Sequence, residues 1–145
     1  FAVERSVRVK ARVVGQDERE SRGIREVLNF GHTLGHAVEA VKRFRGVTHG
    51  EGVAVGMVAA ALVSERLLGF TGRERVEALV KSLGLPTRLA GLSACKLVEA
   101  TRKDKKRRTG KLRMTLLKEI GSTAVLDSID ERLLLEAARE LGAGR

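Results

Sequence analysis

The chain has 145 residues, enough for one domain with a real core, and a hydrophobic content of 43% excludes a disordered polymer. Aromatic residues make up only 3%, with no Trp or Tyr, so the core is expected to be aliphatic; the net charge of +10 comes without the rings that stack on bases. A single cysteine, Cys95, excludes an internal disulfide and favours a reducing compartment, and no secretory signal opens a chain that starts at Phe1, as a fragment of a longer polypeptide would.

In chain order, residues 6–14 (SVRVKARVV) mix β-branched and basic residues, and their periodicity fits helix and strand alike. The polar GQDERESRG that follows reads as a loop. From Ile24 to about Arg43 the apolar spacing of Leu28, Leu34, Val38 and Val41 predicts a helix, closed by Gly46 as a C-terminal cap. Gly31 and Gly35 interrupt it. Each costs a helix about 1 kcal/mol relative to alanine, so they are expected to let a metal, a substrate or a second helix approach the backbone. Gly52 to Leu68 is the most apolar stretch and predicts a central buried helix, with an uninterrupted apolar run too short to span a membrane.

Further on, Thr71 or Gly72 starts a helix over RERVEALVKSLGL, closed by Gly84 and Pro86. Ser93 is placed to cap SACKLVEATRK, in which Glu99 and Lys103 are spaced for an i,i+4 pair. After the basic run Lys103–Arg108, the alternation Leu112-Arg113-Met114-Thr115-Leu116 reads as a strand. A turn near Gly121-Ser122 and the segment Thr123 to Leu126 complete a small hairpin, and Asp130 caps a last amphipathic helix, ERLLLEAARELG. The predicted fold class is mainly α: a helical bundle with at most a short β-hairpin.

All three histidines, His32, His36 and His49, fall between Arg25 and Met57. His32 and His36 are spaced to project from one helix face, where two imidazoles can grip one metal ion, and His49 can fold back as a third ligand. Arg25 and Asn29 lie seven and three residues before His32, close to that face, and suit an oxygen-rich ligand. The plainer reading is one interior histidine and two surface ones; the concentration of every histidine beside Asn and Arg argues against it. Glu51, just beyond His49, serves either the helix dipole or the orientation of His49.

Arg25, Leu28-Asn29-Phe30-Gly31-His32-Thr33, Gly35-His36-Ala37, Glu39, His49-Gly50-Glu51 and Gly56-Met57 together resemble the signature of the 3-dehydroquinate synthase family. Lys10 upstream, and Asp104-Lys105-Lys106 with Gly110 and a strand downstream, extend the resemblance. It implies a two-domain enzyme: an N-terminal α/β domain that binds NAD and a C-terminal, mostly helical domain that holds metal and substrate groups. Residues 1–145 correspond to the second.

By the same resemblance, His32 and His49 bind zinc (or another divalent ion such as cobalt), and His36 is the catalytic histidine beside the substrate phosphate. Lys10, Arg25, Asn29 and one of Lys105 and Lys106 would hold the substrate's phosphate, carboxylate and hydroxyl groups. A glutamate that completes the zinc site, and the glycine-rich dinucleotide loop, belong to the preceding domain, so the chain by itself is expected to fold but to be inactive. The implied reaction converts a phosphorylated keto acid, 3-deoxy-D-arabino-heptulosonate 7-phosphate, into 3-dehydroquinate and phosphate in the shikimate pathway of aromatic amino acid biosynthesis. The expected setting is a cytoplasmic homodimer with no membrane or nucleic-acid partner. Competing readings are another sugar-phosphate cyclase, a metal-dependent polyol dehydrogenase, or a basic nucleic-acid-binding module centred on Lys103–Arg108. The extended LNFGHT-x-GHA string with DKK favours the synthase over the dehydrogenases, and the shortage of rings disfavours the nucleic-acid module.

Overall fold

A computed structural model describes residues 1–19, 21–108 and 112–144, with the side chains of residues 2 and 104–108 outside that description. Its helices are α1 (Ala2–Gln16), a 3-10 helix (Ile24–Asn29), α2 (His32–Val41), α3 (His49–Leu68), α4 (Arg73–Ser82), α5 (Ala94–Arg108) and α6 (Glu131–Glu140). Between α5 and α6, β1 (Met114–Glu119) and β2 (Ser122–Leu126) form an antiparallel hairpin, with Met114 opposite Leu126 and an irregularity between Leu117 and Glu119. The mainly α class with one short hairpin is what the sequence predicts. Among the described residues, no helix is long and apolar enough to cross a membrane.

The bundle is built around α3, which is buried from Gly52 to Ser64 except at the half-buried Met57. Helix α2 packs along its N-terminal half, where Leu34 and Val38 meet Val55 and Val58. The hairpin and α6 cover its C-terminal half through Leu116 and Leu134 against Leu62 and Val63. Each such aliphatic side chain contributes about 1.5–3 kcal/mol by leaving water. The one polar side chain in that run, Ser64, is satisfied on both sides: its Oγ donates to Ala60 O (2.6 Å) and accepts from Leu117 N (2.9 Å). It thereby pins β1 to α3. At the far end, Arg66 and Arg73 bridge to Glu140 of α6 at 2.8 and 3.3 Å.

The glycines of α2 and α3 form a seam. A Cβ on Gly35 would stand 3.0 Å from Val53 Cα, and one on Gly52 would stand 3.1 Å from Gly35 O. A Cβ on Gly31 would meet Val53 O and Met57 N at 2.7 Å, and one on Gly56 would fall on the carbonyl oxygen of Gly31. Of the three close approaches the glycines allow, the one realised here is that of a second helix.

Residues 6–14, open to helix and strand alike by sequence, are helical, and α1 exposes Val3, Val7 and Val9, so no burial pattern marks its period. Three local expectations are corrected. The helix expected over Ile24–Arg43 is broken at Phe30–Gly31, where Gly31 takes φ 85° because α3 leaves no room for a continuous turn. It ends at Val41 and not near Gly46: Phe44 N donates to Glu39 O (2.8 Å) and Arg43 N to Ala40 O (3.0 Å), a Schellman closure. Arg43 (φ 52°) and Phe44 (φ 56°) occupy the left-handed region that glycine usually takes. Finally, β1 runs on to Glu119, past the predicted Leu116.

The polar loop after α1 is held by one carboxylate. Asp17 accepts from Ser21 N and Arg22 N on Oδ1 (2.9 and 3.0 Å) and from Ile24 N on Oδ2 (3.0 Å). Burial raises its pKa, but the bonds from backbone N–H groups outweigh this and hold the carboxyl below its usual range. The same bonds set where the 3-10 helix begins.

Candidate functional site

His32 is the first residue of α2, His36 lies one turn on, and His49 is the first residue of α3. Because the glycine seam brings the two helices together, the three rings converge. Their centroids are 5.4 Å (His32–His36), 5.3 Å (His32–His49) and 5.9 Å (His36–His49) apart. His32 and His36 are half-buried and His49 is exposed, so they form one cluster at the surface rather than one interior and two scattered residues.

Burial lowers the pKa of His32; the carbonyl of Phe30 opposes this, and the neighbouring His36 and His49 lower it further. A neutral imidazole is the form that ligates a metal. His49 Nδ1 lies 3.0 Å from Oε1 of Glu39, a buried carboxylate on α2. Glu39, His36 and His49 each offer a donor atom within 4.8 Å of the others, so a second donor set exists beside the expected His32–His49 pair.

Glu51 resolves to helix capping. Its Oε2 accepts from Thr48 N (2.7 Å) and Thr48 Oγ1 (2.8 Å), while Thr48 Oγ1 accepts from Glu51 N (3.3 Å). The two bonds from Thr48 hold its carboxyl below the usual range. The acid that meets His49 is Glu39. Its signal in the sequence is the i,i+3 spacing from His36, which puts both on one helix face.

Arg25 and Asn29 do not sit on a helix continuous with His32; they are carried by the 3-10 helix. They nevertheless line, with Lys10 of α1, Leu28 and His32, a cleft of about 330 Å³. Two cations with an amide and an imidazole along one wall make an electropositive recess suited to an anionic, hydroxylated small molecule. The 3-10 helix is tied to the hairpin side, where Arg113 Nε lies 2.7 Å from Glu26 Oε2 and Thr115 Oγ1 donates to Glu26 O (2.8 Å), and α2 is tied to the same side by Thr33 Oγ1, which donates to Arg113 O (3.2 Å). Lys105 and Lys106 lie on the last turns of α5, and their side chains are outside the described residues.

The family described as 3-dehydroquinate synthase C-terminal matches residues 1–107. A 3-dehydroquinate synthase of Methylacidiphilum infernorum is 46% identical over 123 residues, covering 83% of this chain and 34% of the relative. One from a Synechococcus strain is 44% identical over 142 residues, covering 96% and 38%. The chain thus spans little more than a third of the length of the curated relatives it matches. Among solved structures, a 2-deoxy-scyllo-inosose synthase complexed with carbaglucose-6-phosphate, NAD+ and Co2+ superposes with a TM-score of 0.77 at 26% identity, covering 90% of this chain and 38% of that one. A 2-epi-5-epi-valiolone synthase from Streptomyces hygroscopicus subsp. jinggangensis, with NAD+ and Zn2+ bound, shares the fold at a TM-score of 0.81 and 22% identity, covering 95% and 38%.

Proposed function

This chain belongs to the 3-dehydroquinate synthase family, matching its C-terminal part, and from that premise we propose that it supplies the metal- and substrate-binding half of such a synthase. The proposed reaction turns 3-deoxy-D-arabino-heptulosonate 7-phosphate into 3-dehydroquinate and phosphate, a step of the shikimate pathway. The observation that carries the proposal is the convergence of three imidazoles at the edge of the cleft lined by Lys10, Arg25, Asn29 and His32.

The donor set fits a divalent ion. Imidazole nitrogens suit zinc and cobalt, His32 is biased to the neutral form, and Nδ1 of His49 is engaged by Glu39, which leaves Nε2 as its ligating atom. His32 and His49 would hold the ion. When bound, it supplies Lewis-acid polarisation of a substrate oxygen, and NAD, held by residues outside these 145, supplies hydride exchange.

Within the chain, Arg25 offers a planar fork to a carboxylate or phosphate, Lys10 a point charge to the same anion, and Asn29 an amide to a hydroxyl. Either Lys105 or Lys106 adds a further phosphate contact. His36 stands beside the metal pair without being needed as a ligand, so its ring is free to take or give a proton where phosphate leaves. In the complete synthase the proposed partners are a dinucleotide-binding domain and a second copy of the enzyme. The exposed apolar side chains of Phe1, just before α1, and of Val3, Val7 and Val9 within it offer area for such contacts. One exposed free cysteine suits the proposed cytoplasmic setting.

The test is a chimaera in which these residues replace the corresponding third of the Methylacidiphilum infernorum relative. Phosphate release from the substrate is expected, with loss of bound zinc in His32→Ala and His49→Ala, and retained zinc with slowed turnover in His36→Ala. A chimaera that binds NAD and zinc yet releases no phosphate refutes the proposal. Analysis of the carbocycle released separates 3-dehydroquinate from the product of a different sugar-phosphate cyclase, a reading that the curated relatives do not favour.

A further inference from the structure

Resting on the metal-binding reading above, we propose that Glu39 is a positioning residue for His49: it fixes which ring nitrogen is offered to a divalent cation, and it does so from outside the cation's ligand set. The bond between Glu39 Oε1 and His49 Nδ1 is 3.0 Å long, and the Glu39 side chain is only 12% exposed. An ionised carboxylate only accepts hydrogen bonds, so Nδ1 carries the hydrogen and Nε2 presents the lone pair.

Three features define the surroundings of the carboxylate. The backbone carbonyl of Glu39 accepts from Phe44 N (2.8 Å), which fixes the end of α2 from which the side chain springs. Gly52, on the facing turn of α3, lies beside the side chain, where a Cβ would stand 3.4 Å from Glu39 Cγ, an ordinary contact distance. Glu51, the nearer acid in sequence, is committed to Thr48 and does not compete for His49.

The alternative is that Glu39 is itself a ligand, with His36 and His49. An oxygen already engaged by the Nδ1 hydrogen is poorly placed to bind a cation shared with that same ring, whose other nitrogen points elsewhere. Positioning by a carboxylate on the distal nitrogen of a ligating histidine raises its basicity, and losing such a partner typically costs about 10–100-fold in metal affinity.

Two readouts test this: long-range nitrogen–proton spectra of the metal-free 145-residue chain give the tautomer of His49, and competition of Zn2+ against a chromophoric chelator, measured on the chimaera described above, gives the affinity. Glu39→Gln keeps an acceptor of the same shape, whereas Glu39→Ala removes it. The expected result is the Nδ1–H tautomer in the parent and in Glu39→Gln, and its loss in Glu39→Ala. Zinc affinity is expected to fall by about 10-fold or less in the glutamine variant and by about 10–100-fold in the alanine variant. Equal damage by both substitutions would make the carboxylate a ligand and overturn the proposal, as would an Nε2–H tautomer in the parent. If the parent takes up no zinc, or His32→Ala costs nothing, the metal-binding reading fails; the tautomer comparison still decides the role of Glu39, and an unchanged Nδ1–H state in Glu39→Ala sinks it.

Discussion

Replacing Gly56 with alanine isolates what the glycine seam contributes. In a helix interior the change gains about 1 kcal/mol of intrinsic propensity. At this position the added methyl would fall on the carbonyl oxygen of Gly31 and lie 2.9 Å from both Gly31 C and Gly35 N. All three contacts are backbone atoms, so no side chain can rotate away, and α2 must move off α3. Overpacking of this kind costs about 1–3 kcal/mol, and backbone obstruction puts Gly56 at the upper end, so a net loss of about 1–2 kcal/mol is expected after the propensity gain. The displacement also widens the 5.3 Å separation of the His32 and His49 rings. Gly50, on the same helix with nothing within 4 Å of its added methyl, is the control; Gly50→Ala is expected to gain about 0.4–1 kcal/mol. Urea denaturation and zinc competition on both variants provide the assay. A Gly56→Ala protein as stable and as zinc-competent as Gly50→Ala would refute the argument that the seam sets the site.

Ser64→Ala leaves Leu117 N without its Ser64 partner in a buried place, and a loss of about 1–3 kcal/mol in urea denaturation is expected; a neutral result would mean that β1 is held without this bond. Arg113→Ala breaks the contact with Glu26 across a half-exposed surface, so stability should change by at most about 1 kcal/mol, while sulfate binding in the Lys10–Arg25 cleft, followed by calorimetry, should weaken as the 3-10 helix loosens. Asp17 has a folded-state pKa below the ordinary 3.8, so its contribution is complete above that value and is lost as pH falls through the folded pKa. Asp17→Asn is therefore expected to be less stable at neutral pH and to lose less stability on acidification; parallel acid-unfolding curves for the two proteins would contradict this.

Elements governed by local chemistry were legible in the sequence. Asp130 caps α6 through Arg132 N and Ser93 caps α5 through Lys96 N, because a cap is decided by residues within three positions of it. The apolar run of α3 could only be a central helix. The break at Gly31 was not legible, since the apolar spacing continues across it and only the approach of α3 forbids the helix. Nor was the closure at Arg43, a residue whose own preference runs against the left-handed region. At the site, the proximity of the histidines followed from their spacing, whereas the pairing of Glu39 with His49 spans a connection whose path depends on how α2 ends. Lys10 was placed by resemblance alone; its own segment carries no period that betrays which side faces the cleft.

The connection over residues 42–48 has a consequence for how a metal would come and go. It joins the donors of α2 to the donor of α3, and it is not a slack tether: Arg43 and Phe44 are set in left-handed conformations at one end, and Thr48 and Glu51 are locked together at the other. Held this way, the imidazoles proposed as ligands would meet an ion as a chelate, at an effective concentration above the millimolar scale of short flexible linkers. An ion that detaches from one ring remains beside another, so recapture competes with escape. Slow exchange with an external chelator is then a property of the loop as much as of the ligands, and a glycine-serine insertion after Arg45 would hasten release without altering a single donor.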